Sequence, residues 1–362
     1  MTIRHLYSGR RALIIGVTGQ DGGLLASQLL DKGYEVHALV RRTPAHPESR
    51  LKAGAGEVDP RVVLHRGDLA DLASLVRTVN RAEPGEIYNF GGCGGSAESF
   101  DEPEHALETD GLGVLRLLEA IRICGRVATT RYLQVSGPAP FGRPDDAPQS
   151  ETTAFKPDSP HAVAKACGHW LTRIYRQTYG LHACTVIMFG HESPTGPANG
   201  VLRGITLGLA KVVSGEAVAF DVGELLDYRY DVGCAAEYVE AAWLLMQQAR
   251  AADCVLATGE LHSGRELIVR AAEEMGMRLR WEEAGDAVLG VLTEAFGAAA
   301  GMEVGRVVVR ARAAELPASV QPLQGDGTRA FELLGWQPGK GIDELVRELV
   351  AADLARQLAL RR

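Results

Sequence analysis

Ala12-Leu13-Ile14-Ile15-Gly16-Val17-Thr18-Gly19-Gln20-Asp21-Gly22-Gly23 is the stretch whose reading decides the fold. An apolar run ends at Gly16, glycines recur at Gly19 and Gly22, and Leu24, Leu25, Gln28 and Leu29 continue as a helix. The run reads as a buried parallel strand. Between strand and helix, glycines permit a tight turn and a close approach to a pyrophosphate, which would sit on the unpaired N–H groups of the helix start. A turn that merely needs small residues does not explain three glycines together. Gly16, Thr18, Gly19, Gln20, Asp21 and Gly22 are therefore the expected dinucleotide contacts.

Working outward, Tyr34 to Val40 reads as a second strand, followed at once by Arg41 and Arg42. A carboxylate at this place would hold the ribose of NAD, whereas arginine accommodates the 2′-phosphate of NADP. A solvated charge pair is the alternative. Thr43 to Asp59 reads as a surface loop and Val62 to His65 as a third strand, with Asp68 and Leu69 placed for an adenine edge. Glu86 to Phe90 forms a fourth strand and runs into Gly91-Gly92-Cys93-Gly94-Gly95-Ser96. Open α/β sheets bind ligands at such strand ends. Phe90, Gly91 and Gly92 are expected on the cofactor, and Gly94, Gly95 and Ser96 on the substrate. Cys93 has no adjacent base to make a thiolate and reads as packing. Leu112 to Cys124 reads as a core helix, Tyr132 to Ser136 as a fifth strand, His161 to Tyr179 as a helix and Ala183 to Phe189 as a sixth strand. The alternation predicts an α/β fold, a Rossmann-type doubly wound parallel sheet.

Beyond Phe189 the pattern loosens. A loop over Ser193 to Gly200, helices over Val201 to Val213 and Ala235 to Ala249, a core strand at Val255-Leu256-Ala257, and a closing helix from Ile342 to Leu358 are predicted. The expected division is residues 1–189 as an NADP-binding domain and 190–362 as a substrate-binding region interleaved with the sheet. The net charge of −8 argues against nucleic acid or an anionic membrane as partner. Six scattered cysteines without a C-x-x-C pair read as reduced thiols of a cytoplasmic protein. No metal site and no membrane span are expected.

G-V-T-G-Q-D-G (16–22), G-Y-E-V-H-A-L-V-R-R (33–42), E-I-Y-N (86–89), D-G-L-G-V-L-R-L-L-E-A-I (110–121), H-E-S-P (191–194), A-T-G-E-L-H-S (257–263) and L-Q-G-D (323–326) closely resemble GDP-mannose 4,6-dehydratases. These are extended short-chain dehydrogenase/reductases, and the similarity runs from about Arg10 to Leu354. The resemblance implies the fold, an NADP cofactor, a cofactor contact at His191 and a homo-oligomer. A histidine that caps backbone is the other reading of His191.

The family's catalytic pattern departs here. Its Y-x-x-x-K appears as His161-Ala162-Val163-Ala164-Lys165, so the lysine stays and the tyrosine is histidine. Its S-T-S-E appears as Ser136-Gly137-Pro138-Ala139, without threonine or glutamate. General acid–base help is worth about 10²–10⁴-fold per step, so loss at several steps predicts no sugar dehydration. The arginine pair after H-E-S-P is Thr195-Gly196, and the arginine before a late proline is Leu316. Arg203 and Arg229 read as relics on a solvated face. A diphosphate without arginine partners loses its main attraction. Gly91, Gly92, Gly94 and Gly95 read as opening room for something broad and flat.

The expected activity is an NADPH-dependent ketoreductase on a large aromatic polyketide ketone. The losses are similar to those of angucyclinone ketoreductases of antibiotic biosynthesis, which turn a C-7 carbonyl into an alcohol. His161, Lys165 and Ser136 are the catalytic candidates, with the proton supplied by His161 or by a substrate hydroxyl. Lys165 would also hold the nicotinamide ribose, and Ser136 and Ser96 are alternatively loop caps. The other readings are a non-catalytic NADP-binding protein of the same family and a residual nucleotide-sugar enzyme.

Overall fold

The computed structural model describes residues 9–41, 58–92, 95, 97–223, 226–312 and 322–360. β1 (Arg11–Ile15) is followed by α1 (Gln20–Asp31), β2 (Glu35–Val40), β3 (Val63–Arg66), α2 (Leu72–Ala82) and β4 (Glu86–Asn89). Two short helical turns then lead into a π-helical stretch, Leu107–Leu112. Next come α3 (Gly113–Ile123), β5 (Arg131–Ser136), α4 (Pro160–Tyr179), β6 (His182–Met188) and β7 (Gly190–Glu192). The chain continues through α5 (Val201–Ser214), β8 (Phe220–Gly223), β9 (Arg229–Cys234), α6 (Ala235–Gln247), β10 (Cys254–Leu256) and β11 (Leu261–Ser263). It ends with α7 (Gly264–Glu274), β12 (Met277–Ala284), β13 (Ala287–Ala295), β14 (Val307–Arg312), α8 (Thr328–Leu334) and α9 (Ile342–Ala359).

The first sheet has seven parallel strands in the order β10-β6-β5-β4-β1-β2-β3. Its inner strands are mostly buried, with helices packed against both faces, while the edge strand β3 leaves Val63 and Leu64 exposed. Ala12 and Ile14 pack with Leu25, Leu29, Tyr238 and Met246 on one side. Leu13 and Ile15 pack with Val79, Leu117 and Tyr132 on the other. Strand order reverses between β1 and β4, and this switch point is where a doubly wound sheet opens a crevice. The predicted strands all form, with ends displaced by about one residue. The predicted loop lies outside the described residues over 43–57.

The second region is more regular than its sequence suggests. β12, β13, β14 and β8 form a four-stranded sheet, and α5, α7 and α9 pack into the same core through Leu209, Leu267 and Leu349. The alternation of Met277, Leu279 and Trp281 with Arg278, Arg280 and Glu282 is the signal for β12 in the sequence. β14 pairs antiparallel with β13 and parallel with β8, and the four-residue β8 is formed by that edge pairing.

Arg203 corrects the expectation of a solvated relic. It is 2% exposed, and its Nε lies 2.9 Å from both carboxylate oxygens of Asp353 on α9. Its Nη1 donates to the carbonyls of Pro194 and Gly196 at 2.8 Å. The guanidinium thus ties the loop after β7 to the last helix. Arg229 is exposed at the start of β9, as expected. No described helix is long and apolar enough to cross a membrane.

Candidate functional site

A cleft of about 380 Å³ opens at the carboxyl ends of β1, β2, β3 and β4. The β1–α1 turn brings Gly16, Thr18 and Gly19, β2 brings Arg41, the segment after β3 brings Asp68 and Leu69, and β4 runs out into Phe90, Gly91 and Gly92. Gly16 has φ +88°, and a Cβ there would stand 2.9 Å from the Phe90 carbonyl carbon and oxygen. A Cβ on Gly22 would stand 2.3 Å from the Gly16 carbonyl oxygen. Both glycines are therefore required by backbone approach, which is the close turn a pyrophosphate site needs. Arg41 is exposed at the rim. Arg42, Cys93, Gly94, Ser96 and Leu316 lie outside the described residues.

Gly91, Gly92 and Gly95 do not open the broad room expected of the glycines after β4. A Cβ on Gly91 would meet Ile15 Cγ2 at 2.5 Å, and one on Gly95 would meet Glu98 Oε2 at 3.0 Å. A Cβ on Gly92 would meet Asp110 Oδ1 at 2.9 Å and Lys165 Nζ at 3.1 Å. Neighbouring side chains have closed into the space that these residues give up.

What closes in at Gly92 is a charged cluster. His161 and Lys165 stand four residues apart near the start of α4 and so share one helix face. The helix starts there because Ser159 caps it, accepting the Ala162 N–H at 3.2 Å, and Pro160 fits its first turn. Ser99 Oγ accepts the His161 backbone N–H at 3.2 Å. Lys165 Nζ lies 3.2 Å from Asp110 Oδ1, and His161 Nδ1 lies 3.4 Å from Asp110 Oδ2. Asp110 comes from the π-helical stretch, and sequence reasoning missed it. It sits in the D-G-L-G phrase of the family resemblance, just before the Leu112 to Cys124 stretch that reads as a core helix. Ser136 is buried at the end of β5, its hydroxyl 3.4 Å from the Gly137 carbonyl, so its geometry is that of a backbone cap.

Gln20, Asp21 and His191 form a second polar cluster. His191 Nε2 lies 3.0 Å from Asp21 Oδ2, and its Nδ1 lies 2.6 Å from the Phe189 carbonyl. Gln20 donates to the His191 carbonyl at 3.2 Å and accepts from Ser193 Oγ at 2.9 Å. The T-G-Q-D-G and H-E-S-P phrases thus clasp each other, and the imidazole stacks on Tyr238 with centroids 5.2 Å apart. Burial alone would lower the His191 pKa, but the adjacent Asp21 carboxylate outweighs it and raises the pKa to about 9. A pKa raised on folding contributes stability that is whole below the unfolded value, about 6.5, and is lost as pH climbs through the folded one. Between about pH 6.5 and about pH 9 the wild type is expected to lose on the order of 2–3 kcal/mol that His191→Gln does not lose, as read by urea unfolding across that range.

Among the described residues, no group of three or more His, Cys, Asp or Glu side chains could hold a metal ion. The arrangement can seat a dinucleotide on the glycine turn, in a cleft whose Gly92 end lies beside a lysine, an imidazole and a carboxylate.

Comparison with known proteins agrees with this architecture. The family model described as GDP-mannose 4,6 dehydratase matches residues 13–349. A GDP-mannose 4,6-dehydratase of Yersinia enterocolitica is 40% identical over 360 residues, covering 97% of this chain and 96% of the relative. The human GDP-mannose 4,6 dehydratase is 40% identical over 348 residues, covering 95% and 91% respectively. Among solved structures, RMD from Pseudomonas aeruginosa complexed with NADPH superposes with a TM-score of 0.71 at 20% identity, covering 96% of this chain and all of that one. The UDP-glucose 4-epimerase of Thermotoga maritima, solved with UDP-glucose, gives 0.75 at 19% identity, covering 96% and 99%. With a glycine turn of the required closeness, a matched region spanning nearly its whole length and relatives at two-fifths identity, the chain belongs to the GDP-mannose 4,6-dehydratase family.

Proposed function

We propose that this chain is an NADPH-dependent ketoreductase that transfers hydride to a ketone and carries out no elimination. The observation that carries the reading is that His161 and Lys165 lie on one face of α4 beside Asp110 at the Gly92 end of the cleft; the sequence resemblance leads one to expect a phenol at position 161. The cleft suits NADP(H): a Cβ on Gly16 would strike the Phe90 backbone, and Arg41 at the rim suits a 2′-phosphate. When bound, NADPH supplies the hydride for a new C–H bond at the carbonyl carbon. The carbonyl π electrons move to oxygen, and the His161 imidazolium donates an N–H proton to that oxygen and takes its replacement from solvent. Lys165 steadies the developing negative charge and the cofactor ribose. Ala139 provides no group to remove water from a sugar, which supports reduction alone.

Hydroxylated polycyclic aromatic ketones are the substrate class suggested by the pattern of replaced residues, since they carry no diphosphate. The occupied space at Gly91, Gly92 and Gly95 gives that class no extra room. The family relatives favour a second reading, dehydration of a nucleotide sugar. The two separate in one experiment. NADPH consumption and product mass are followed with a hydroxylated polycyclic ketone and, separately, with GDP-mannose. Reduction by two hydrogens in the first supports the proposal, and loss of water from the second overturns it.

Self-association belongs to the same reading. Val163, Trp170 and Ile174 stand along α4 at 46%, 50% and 49% exposure, a spacing that puts them on one face.

A further inference from the structure

Asp110 is 2% exposed, and its carboxylate is set between two basic side chains. A carboxylate at that depth is costly unless compensated. Three separate features of the backbone converge on it. The π-helical stretch Leu107–Leu112 widens the turn before α3, and such turns occur often at functional sites. α4 reaches the same turn at Gly168, where a Cβ would stand 3.0 Å from the Asp110 carbonyl oxygen. From the cofactor side, Gly92 gives way to the carboxylate itself, 2.9 Å from where its own Cβ would be. An ion pair with Lys165 alone would need only one carboxylate oxygen. The second oxygen faces the imidazole.

We infer that Asp110 is a positioning residue for His161: its Oδ2 takes the Nδ1 edge of the ring and leaves Nε2 to meet the substrate oxygen. Carboxylates on the far nitrogen of a working imidazole set its tautomer and hold its orientation. With Nδ1–H toward Asp110, Nε2 delivers a proton to an alkoxide when the ring is protonated and accepts one from an alcohol when it is neutral. Lys165 on Oδ1 offsets the charge of the carboxylate. The use of Nε2 rests on the ketoreductase reading, whereas the ring orientation does not.

Two measurements on the full chain with NADPH test this. In ¹⁵N-histidine spectra, His161 is expected to carry its proton on Nδ1 in the wild type and to lose that preference in Asp110→Asn. The same tautomer in both overturns the inference. In ketone turnover, Asp110→Asn is expected to lower kcat by about 10-fold or more with little change in KM. Placed in a His161→Ala background, it is expected to cost nothing further. An equal cost in both backgrounds overturns the inference and assigns Asp110 to Lys165. Should Asp110→Asn fail to fold, Gly92→Ala displaces the carboxylate without removing it and carries the same comparisons. A wild type that reduces no ketone defeats the ketoreductase reading, and the spectra still decide the role of Asp110.

Discussion

His161→Ala is expected to lower kcat for ketone reduction by about 10²-fold or more, equivalent to roughly 3 kcal/mol of transition-state stabilisation. The size follows from the chemistry. On the proposed reading, hydride arriving at a carbonyl carbon leaves an alkoxide that needs a proton, and His161 is the residue proposed to supply it. The imidazole is the one proton-handling ring in the Asp110–His161–Lys165 cluster, and its side chain is largely buried there. NADPH affinity is expected to stay within a few-fold of wild type, because Lys165 and the glycine turn are untouched. Tight cofactor binding with a collapsed kcat therefore identifies a lost proton donor. Near-normal turnover by the variant transfers the role to a hydroxyl on the substrate.

Arg203→Ala is expected to destabilise the fold by about 3–5 kcal/mol, which is the usual cost of leaving one half of a buried ion pair without its partner. Asp353 is 0% exposed, and its remaining protein donors would be Thr206 Oγ1 at 2.7 Å and Arg356 Nη1 at 3.4 Å. The carbonyls of Pro194 and Gly196 would lose their donor as well. Because α5 carries Arg203 and α9 carries Asp353, the loss falls on the packing of the second core. Replacing both partners, as Arg203→Met with Asp353→Leu, is expected to recover most of the stability, since two apolar side chains leave no buried charge. Urea unfolding measures both variants. A loss below about 1 kcal/mol in the single variant would place Arg203 among weak surface pairs.

The contrast between Arg203 and Gly16 shows where local sequence suffices. Gly16 follows an apolar strand and precedes a helix, and a positive φ at such a junction is a demand that neighbouring residues announce. Arg203 looks like any charged residue near the start of a helix until Asp353, 150 positions away, is folded onto it. Gly92 misleads for a related reason. A missing side chain reads as empty space, but the space belongs to whichever residue packs there, and Asp110 and Lys165 take it. His191 lies between the two cases, because H-E-S-P marks the residue as special while only the tertiary fold shows Asp21 as its partner.

The sequence by itself determined the doubly wound sheet, the glycine turn and the family. These rest on short-range periodicity, on backbone demands that only glycine meets and on phrases read in register. The tertiary structure alone decided that Asp110 joins His161 and Lys165, that Arg203 is interior and that the space beside Gly91, Gly92 and Gly95 is taken up by neighbouring side chains. Those facts are contacts between residues distant in the chain, and a linear pattern holds no distance between side chains.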